Sequence, residues 1–141
     1  MKKYKYAVLF SSLAIILLAI FWGFSHFKII EVKGKKLITE VVLTQEKQKE
    51  GLGGRRSLCS SCAMLFDFKE EKRVSFWMKD MQFDLDIIWI SNNQIIYIKK
   101  NFSHKSKEVV NPNIKADKVL EIGAGLSDKF DFKVGDSIKI Y

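Results

Sequence analysis

Five side chains of the 141-residue sequence have the chemistry of a binding or catalytic site. They are Arg55, Trp77, Lys79, Asp86 and Glu121. Arginine offers a planar fork of donors that fits a carboxylate or phosphate, lysine adds a second positive charge, and an indole ring offers a stacking surface. If these side chains meet in the folded protein, they predict a binding site for an anionic or sugar-like ligand.

Asp86 and Glu121 also permit a catalytic interpretation, in which they act as the general acid and base of a small hydrolase. That chemistry requires two carboxyl groups in one site and shifted pKa values, which a sequence does not display. A third interpretation is structural, because ion pairs between strands and loops use the same residue types, and Trp77 would then belong to the core. We favour binding over catalysis and keep all three interpretations open.

Cys59 and Cys62 have the two-residue spacing of a thiol-exchange motif. In redox domains such a motif opens a helix after a strand, whereas here a strand is predicted to follow and the only proline is Pro112. The leading prediction is therefore a local disulfide that staples the loop carrying Arg55, with a thiol-redox protein as the lesser alternative. Reduced, buried thiols are expected if the compartment is not oxidising.

The remaining residues predict no metal centre and no other cofactor. Zinc bound by the two cysteines would need two further ligands, and His104 is the only histidine beyond the N-terminal apolar run. The segment Gly123-Ala124-Gly125 is too short to cradle a phosphate group.

The N-terminal segment predicts where these residues are located. Residues 6–27 contain no Asp, Glu, Lys or Arg. As a helix this run would be roughly 33 Å long, enough to cross a hydrocarbon core of about 30 Å. Three lysines precede it, which favours a cytoplasmic N-terminus. The prediction is a single-pass anchor in the cell membrane, with residues 1–28 as cytoplasmic tip and transmembrane segment and residues 29–141 as an extracytoplasmic domain.

A cleaved signal peptide is the alternative, since a basic tip before an apolar core has that pattern too. Gly23 and Ser25 could form its cleavage site. The apolar run is longer than the usual signal-peptide core of about 7 to 15 residues, which favours the uncleaved anchor. Both alternatives place the chain from about Lys28 onward outside the cytoplasm.

Length and composition indicate that the chain after the N-terminal apolar run forms one folded domain. Hydrophobic residues make up 48% of the sequence and charged residues 28%, which excludes disordered and collagen-like proteins. The net charge is +8, and the lysines are scattered rather than clustered, which predicts weak attraction to anionic lipid or cell-wall polymer and no nucleic-acid site. The expected partners are the lipid bilayer, through the N-terminal segment, and an anionic or sugar-like envelope ligand.

Short strands joined by turns would position the candidate residues. Three hairpins are predicted: 29–32 with 37–43 around the turn Gly34-Lys35, 63–68 with 74–78 around the charged turn 69–72, and 85–90 with 95–98 around the turn 91–94, which contains Asn92 and Asn93. Further strands are predicted at 118–122 and 137–141, with short helices at 45–50, capped by Thr44, and at 126–130. The expected fold class is α+β and mainly antiparallel β, a small open barrel or sandwich with one or two short helices.

Several short motifs, taken in order, resemble those of one family. They are Gly51-Leu52, Arg55, Ser57-Leu58, Met64-Leu65-Phe66, Ser75-Phe76-Trp77-Met78-Lys79, Leu85-Asp86-Ile87, Val119-Leu120-Glu121, Ala124-Gly125 and Val134-Gly135-Asp136. The sequence is similar, over residues 37–140, to the bacterial and archaeal family of domain of unknown function 192. The resemblance implies a small β-rich domain, often behind a signal or anchor, with no established biochemical activity.

The sequence departs from that family's pattern at several positions. Asp80 stands where Asn is usual, Asp84 where Pro is usual, and Gly53-Gly54 where a methionine-aromatic pair is common. Cys59 and Cys62 are also additions to the pattern. A site built on Asp84 would therefore not be a family site.

Overall fold

The computed structural model describes residues 26–141. The predicted cytoplasmic tip and almost all of the predicted transmembrane segment lie outside these residues. From residue 26 onward, no helix has both the length and the apolar character needed to cross a bilayer. The predicted anchor ends at Phe27, and Phe27 is the first residue of the first strand.

The first hairpin is confirmed, with its turn one residue earlier than the predicted Gly34-Lys35. Strands β1 (Phe27–Val32) and β2 (Lys35–Val42) pair antiparallel. Between them, Lys33 and Gly34 have φ angles of 50° and 77°. Positive φ at both central residues gives a two-residue turn whose twist matches that of the strands.

Two short helices flank the sheet, close to where the sequence predicts them. Helix α1 (Gln45–Glu50) begins at Thr44, whose side chain accepts a hydrogen bond from the Lys47 N–H, and ends at Gly51. Helix α2 (Leu126–Lys129) is a single turn. Helices this short are not stable alone, so caps and packing hold them in place.

The predicted hairpin of 63–68 with 74–78 is wrong. Strand β3 (Cys62–Arg73) continues straight through the charged segment that was expected to turn. The residues that were expected to form the partner strand of β3 instead form β4 (Phe76–Trp77). Strand β4 pairs with β7 (Val109–Val110) in a separate two-stranded sheet.

A bulge explains why β3 does not turn back. Lys69 has a φ of 62°, and the pairing of β3 with its neighbour shifts register between Asp67 and Lys72. The Asp67 side chain accepts a hydrogen bond from the Lys69 N–H, at 3.0 Å. A bulge absorbs unpaired residues and bends a strand without reversing it.

The hairpin near the middle of the chain is confirmed. Strands β5 (Leu85–Ser91) and β6 (Gln94–Phe102) pair antiparallel. Asn92 and Asn93 form the turn, with φ angles of 49° and 59°. Asparagine tolerates this left-handed backbone better than most residues, which is what made the turn predictable.

The main sheet has seven strands and curls into a half-barrel. With β8 (Lys115–Gly123) and β9 (Ile138–Ile140), the strand order is β6-β5-β8-β3-β2-β1-β9. All neighbours are antiparallel except β2 and β3. The two edges approach each other where Gln94 bridges to Ser137. The fold is therefore α+β, with a mostly antiparallel half-barrel and two short helices.

Alternation along the strands gives the sheet two apolar faces. The first, which we name the inner core, gathers residues from both edges and the middle of the sheet, among them Ile30, Leu37, Leu65, Ile88, Ile95, Leu120 and Ile138. The second, the outer core, is covered by the segments that connect the strands and includes Met64, Phe66, Met78, Ile87, Trp89 and Val119. Each central strand thus sends side chains alternately to both cores.

Candidate functional site

Glu121 is a buried carboxyl group on the outer face of the sheet. It lies on β8 directly opposite Met64 of β3 and Ile87 of β5, both of which belong to the outer core. Only 5% of Glu121 is exposed, and its Oε2 atom has no hydrogen-bond partner. Burial raises the pKa of this carboxyl to about 8, against the opposing effect of the Arg55 charge. At neutral pH the group is therefore mostly protonated.

A pocket of about 430 Å³ opens over Glu121. Its lining contains three of the five predicted site residues, namely Trp77, Lys79 and Glu121. Aromatic and basic side chains also line the pocket, among them Phe66, Phe68, Phe76, Lys49, Lys72 and Arg73. The pocket has the size and the mixture of apolar walls and few polar groups that small-molecule sites have.

The short strand β4 sets the orientation of Trp77. Its neighbour Phe76 turns inward, where its ring meets those of Phe66 and Trp89 edge to face at centroid distances of 4.9 and 5.6 Å. Successive side chains of a strand point to opposite sides, so Trp77 turns outward. The side chain of Trp77 is 58% exposed, which leaves its indole face open at the pocket.

Arg55 lies beside the pocket and does not line it. Its Nη2 atom forms an ion pair of 2.8 Å with Oε2 of Glu40 on β2. Glu40 is opposite Met64, which is in turn opposite Glu121, so the three residues form one row across the sheet. The charge of Arg55 lowers the pKa of Glu121, although burial has the larger effect.

Glu40 is a member of this cluster that sequence analysis missed. It is the only charged residue in the mostly apolar stretch 37–42 of β2, where it lies between Thr39 and Val41. A charged residue at an alternating position of such a strand is the available signal that its side chain has a partner. The identity of that partner depends on the parallel pairing of β2 with β3, which the sequence did not predict.

Asp86 does not line the pocket that contains Trp77, Lys79 and Glu121. It is opposite Ile122, an inner-core residue, and is fully buried. Its carboxylate accepts hydrogen bonds from the backbone N–H groups of Asn101 at 2.7 Å, Ser127 at 2.8 Å and Gly125 at 3.2 Å. Asp86 is therefore a structural residue that holds the start of α2 and the end of β6.

The same geometry removes the basis for a two-carboxylate hydrolase. Glu121 is opposite Ile87, and Asp86 is opposite Ile122, so the two carboxyl groups project from opposite faces of the sheet. General acid and base catalysis on one substrate requires both groups within reach of the same reacting atoms. Asp86 and Glu121 do not meet that condition.

Cys59 and Cys62 form a disulfide. Cys62 is the first residue of β3, and the Cys62 N–H donates to the Cys59 carbonyl at 3.0 Å. No helix follows the motif, and redox motifs gain their reactive thiolate at a helix N-terminus. The disulfide therefore fits a staple of the loop that carries Arg55. Because it closes a very short loop, it should contribute less to the free energy of unfolding than the roughly 3 kcal/mol expected when a disulfide closes a 15-residue loop.

A second, shallower depression of about 420 Å³ contains Asp84 and His104. Oδ1 of Asp84 accepts hydrogen bonds from the His104 backbone N–H at 2.7 Å and pairs with His104 Nδ1 at 2.6 Å. These bonds hold the pKa of Asp84 below its ordinary value. Both side chains are partly exposed, and the pair fixes the loop after β6. Within residues 26–141, no three acidic, histidine or cysteine side chains converge as metal ligands.

Comparison with known proteins agrees with this architecture. A model of the family DUF192, described as an uncharacterized ACR, matches residues 28–140. No curated protein matches the chain.

Two solved structures are similar to this chain. One is a candidate transcription regulator from Sinorhizobium meliloti 1021, 26% identical, with a TM-score of 0.77 over 81% of this chain and 93% of that one. The other is a protein of unknown function from Novosphingobium aromaticivorans DSM 12444, 24% identical, with a TM-score of 0.74 over 80% of this chain and 84% of that one. Both share the half-barrel fold.

Proposed function

The chain belongs to the DUF192 family, and we propose that this member is a single-pass membrane protein whose extracytoplasmic domain binds an anionic or sugar-like component of the cell envelope. Its N-terminus lies in the cytoplasm and residues 6–27 cross the membrane. The domain is a non-catalytic binding or accessory module, and the pocket over Glu121 is its ligand site.

The observation that carries this proposal is the unpartnered oxygen of Glu121. A buried polar atom without a hydrogen bond is costly, and a bound ligand can supply the missing partner. A protonated carboxyl group can donate to an acceptor oxygen of a ligand, whereas an ionised one cannot. The raised pKa of Glu121 therefore suits a ligand that is itself rich in acceptor oxygens.

The rest of the pocket favours a ligand with a ring and a negative charge. Trp77 offers an open indole face, and Lys79 and Arg73 line the same pocket. When Glu121 is protonated, Glu50 is the remaining acidic side chain of the lining, so positive charge dominates there. An anionic sugar can stack on the indole face, pair with the positive charges and accept a hydrogen bond from the Glu121 carboxyl.

The location rests on different observations. The uncharged run of residues 6–27 has the length of a membrane span and follows three lysines. A disulfide between Cys59 and Cys62 is compatible with an oxidising space outside the cytoplasm. Protease added to intact cells should therefore digest the C-terminal domain, and complete protection of that domain would contradict the orientation.

Titration of the full-length protein with three probes tests the binding function. The probes are glucuronate, an anionic sugar; N-acetylglucosamine, a neutral sugar; and inorganic phosphate, an anion without a ring. The indole N–H resonance of Trp77, identified by its loss in Trp77→Phe, should shift with glucuronate. Trp77→Ala, Lys79→Ala and Glu121→Ala should each weaken binding about tenfold, which corresponds to about 1.4 kcal/mol.

Lys107→Ala is the matched control, because Lys107 is an exposed lysine on a loop outside the pocket. This variant should bind glucuronate as the unmodified protein does. A response to phosphate alone would indicate a simple anion site without stacking. Absence of any response to all three probes, or equal affinities in all variants, would contradict the proposed ligand site.

A further inference from the structure

An apolar strip covers the outer face of the sheet near the start of β1. It consists of Phe27, Ile29, Ile38 and Tyr141. Ile29 and Ile38 are directly opposite each other in the hairpin, so they share a face, and Phe27 shares it because it lies two residues before Ile29. Tyr141 exchanges two backbone hydrogen bonds with Ile29, at 2.9 and 3.3 Å. The strip thus joins the first strand, the second strand and the last residue.

This apolar strip is open to the surroundings, unlike the outer core beside it. Phe27, Ile38 and Tyr141 are among the large apolar side chains that the structure, over residues 26–141, leaves exposed. Leu43 is another, and it follows the end of β2, close to where β1 begins. An exposed apolar cluster of this kind marks an interaction surface when its edges are polar.

Two lysines border the apolar strip. Lys36 and Lys139 are exposed on β2 and β9, on the same face as the strip. Glu31 is opposite both of them, and Glu40, which is opposite Phe27, is paired with Arg55. The bordering charge is therefore positive on balance. Apolar side chains with basic neighbours are the pattern of surfaces that lie in the headgroup region of an anionic bilayer.

The position of the strip relative to the predicted anchor is fixed by chain length. The apolar run of the sequence ends at Phe27, which is also the first residue of β1, so no linker separates the two. Each residue adds at most about 3.6 Å, and Ile29 is therefore within about 7 Å of the end of the run. A span that ends at Phe27 would bring the apolar strip to the membrane surface.

We propose that the apolar strip seats the domain on the outer surface of the bilayer, with Phe27, Ile38 and Tyr141 among the lipid headgroups and the neighbouring lysines on anionic lipid. The inference rests on the proposed membrane anchor. The β domain is accordingly held against the membrane and does not swing freely on its anchor.

A pair of single-cysteine variants tests this seating. Tyr141→Cys lies on the apolar strip, and Val134→Cys lies in the loop before β9; both original side chains are 63% exposed. The sequence has only two cysteines, which form the disulfide, so each new thiol can be labelled alone with a nitrobenzoxadiazole fluorophore. The labelled full-length proteins are reconstituted in phosphatidylcholine vesicles that contain phosphatidylglycerol and a headgroup-level spin-labelled lipid.

The spin-labelled lipid should quench the label at position 141 several-fold more strongly than the label at position 134. Omission of phosphatidylglycerol should reduce this difference. Equal quenching at both positions, or none at position 141 in protein that resists extraction by alkaline carbonate, would overturn the seating while leaving the anchor intact. Extraction of the protein by carbonate would overturn the anchor and the seating together. Self-quenching of the label at position 141 in detergent without lipid would show a second copy on the strip and would also overturn the seating.

Discussion

Two buried carboxyl groups on neighbouring strands of the sheet have opposite environments. Asp86 faces the inner core and accepts three backbone hydrogen bonds. Glu121 faces the outer core, has an oxygen without a partner and opens onto a pocket. The two residues are one register step apart between β5 and β8. Because successive side chains of a strand point to opposite faces of the sheet, one carboxyl group has a structural role and the other is available to a ligand.

The difference follows from what covers each face. The inner core is closed by α2 and by the residues before β9, and the backbone N–H groups at the start of α2 donate to Asp86. The outer core is covered by loops and by the two-residue strand β4, which leave a cavity above Glu121. A buried carboxyl group whose oxygens accept hydrogen bonds stabilises the fold. A buried carboxyl group with an oxygen that lacks a partner lowers the stability.

Asp86→Ala should have the largest effect on stability. It leaves three buried backbone N–H groups without an acceptor, and hydrogen bonds to a charged group contribute about 1.5 to 3 kcal/mol each, so we expect a loss of about 5 kcal/mol. Urea denaturation of the full-length protein measures this loss. If the alanine variant does not fold, Asp86→Asn retains one acceptor oxygen and should lose roughly half as much.

Asp128→Ala is the control for this prediction. Asp128 is an exposed acidic residue of α2 that pairs with Lys100 at the surface. Its loss should cost less than about 1 kcal/mol, as for other exposed ion pairs. Similar losses for Asp86→Ala and Asp128→Ala would contradict a structural role for Asp86.

Glu121→Gln should make the protein more stable at pH 8. In the folded protein the pKa of Glu121 is about 8, against an ordinary value of 4.5. Below pH 4.5 the carboxyl is protonated in both the folded and unfolded states. Between pH 4.5 and 8 only the folded state holds the proton, so the free energy of unfolding falls as the pH rises through this window. Above pH 8 the loss is complete.

Glutamine carries no charge, so the variant lacks this pH dependence. The difference in stability between the two proteins should grow by about 4 kcal/mol from pH 4 to pH 8, since each pKa unit corresponds to about 1.4 kcal/mol. Thermal or urea unfolding at a series of pH values measures it. Parallel stability curves for the two proteins would show that Glu121 has an ordinary pKa. The same ionisation should weaken binding of glucuronate above pH 8.

The sequence predicted those parts of the fold that depend on local chemistry. The turn at Asn92-Asn93 and the cap at Thr44 require particular residue types, and both are confirmed, whereas the first turn lies at Lys33-Gly34, one residue before the predicted Gly34-Lys35. The segment 69–72 is charged like a turn, but it lies in a bulged strand whose partner is more than 40 residues away in the chain. Local composition does not distinguish a tight turn from a bulged strand.

The sequence did not show which of the five candidate residues lie together. Trp77, Lys79 and Glu121 line one pocket, and their role in a ligand site stays a prediction. Asp86 could not be assigned to a face, since every residue of 85–90 is buried and both sides of β5 read as apolar. Its three partners come from two other parts of the chain, so only the sheet register and the position of α2 reveal them.

Arg55→Gln tests the smallest difference between the two carboxyl groups, which is the influence of a neighbouring cation. The Arg55 pair with Glu40 is partly exposed, so its loss should cost less than about 1 kcal/mol. Removing the positive charge should nevertheless raise the pKa of Glu121 further above its ordinary value, because burial would then act without opposition from Arg55. The carboxyl carbon resonance of Glu121, identified by its loss in Glu121→Gln, reports this pKa directly. Lys100→Gln is the matched control, since Lys100 is exposed to a similar extent and its charge is paired with Asp128 instead. That variant should leave the pKa of Glu121 unchanged, and an equal shift in both variants would mean that the pocket responds to the net charge of the domain and not to Arg55.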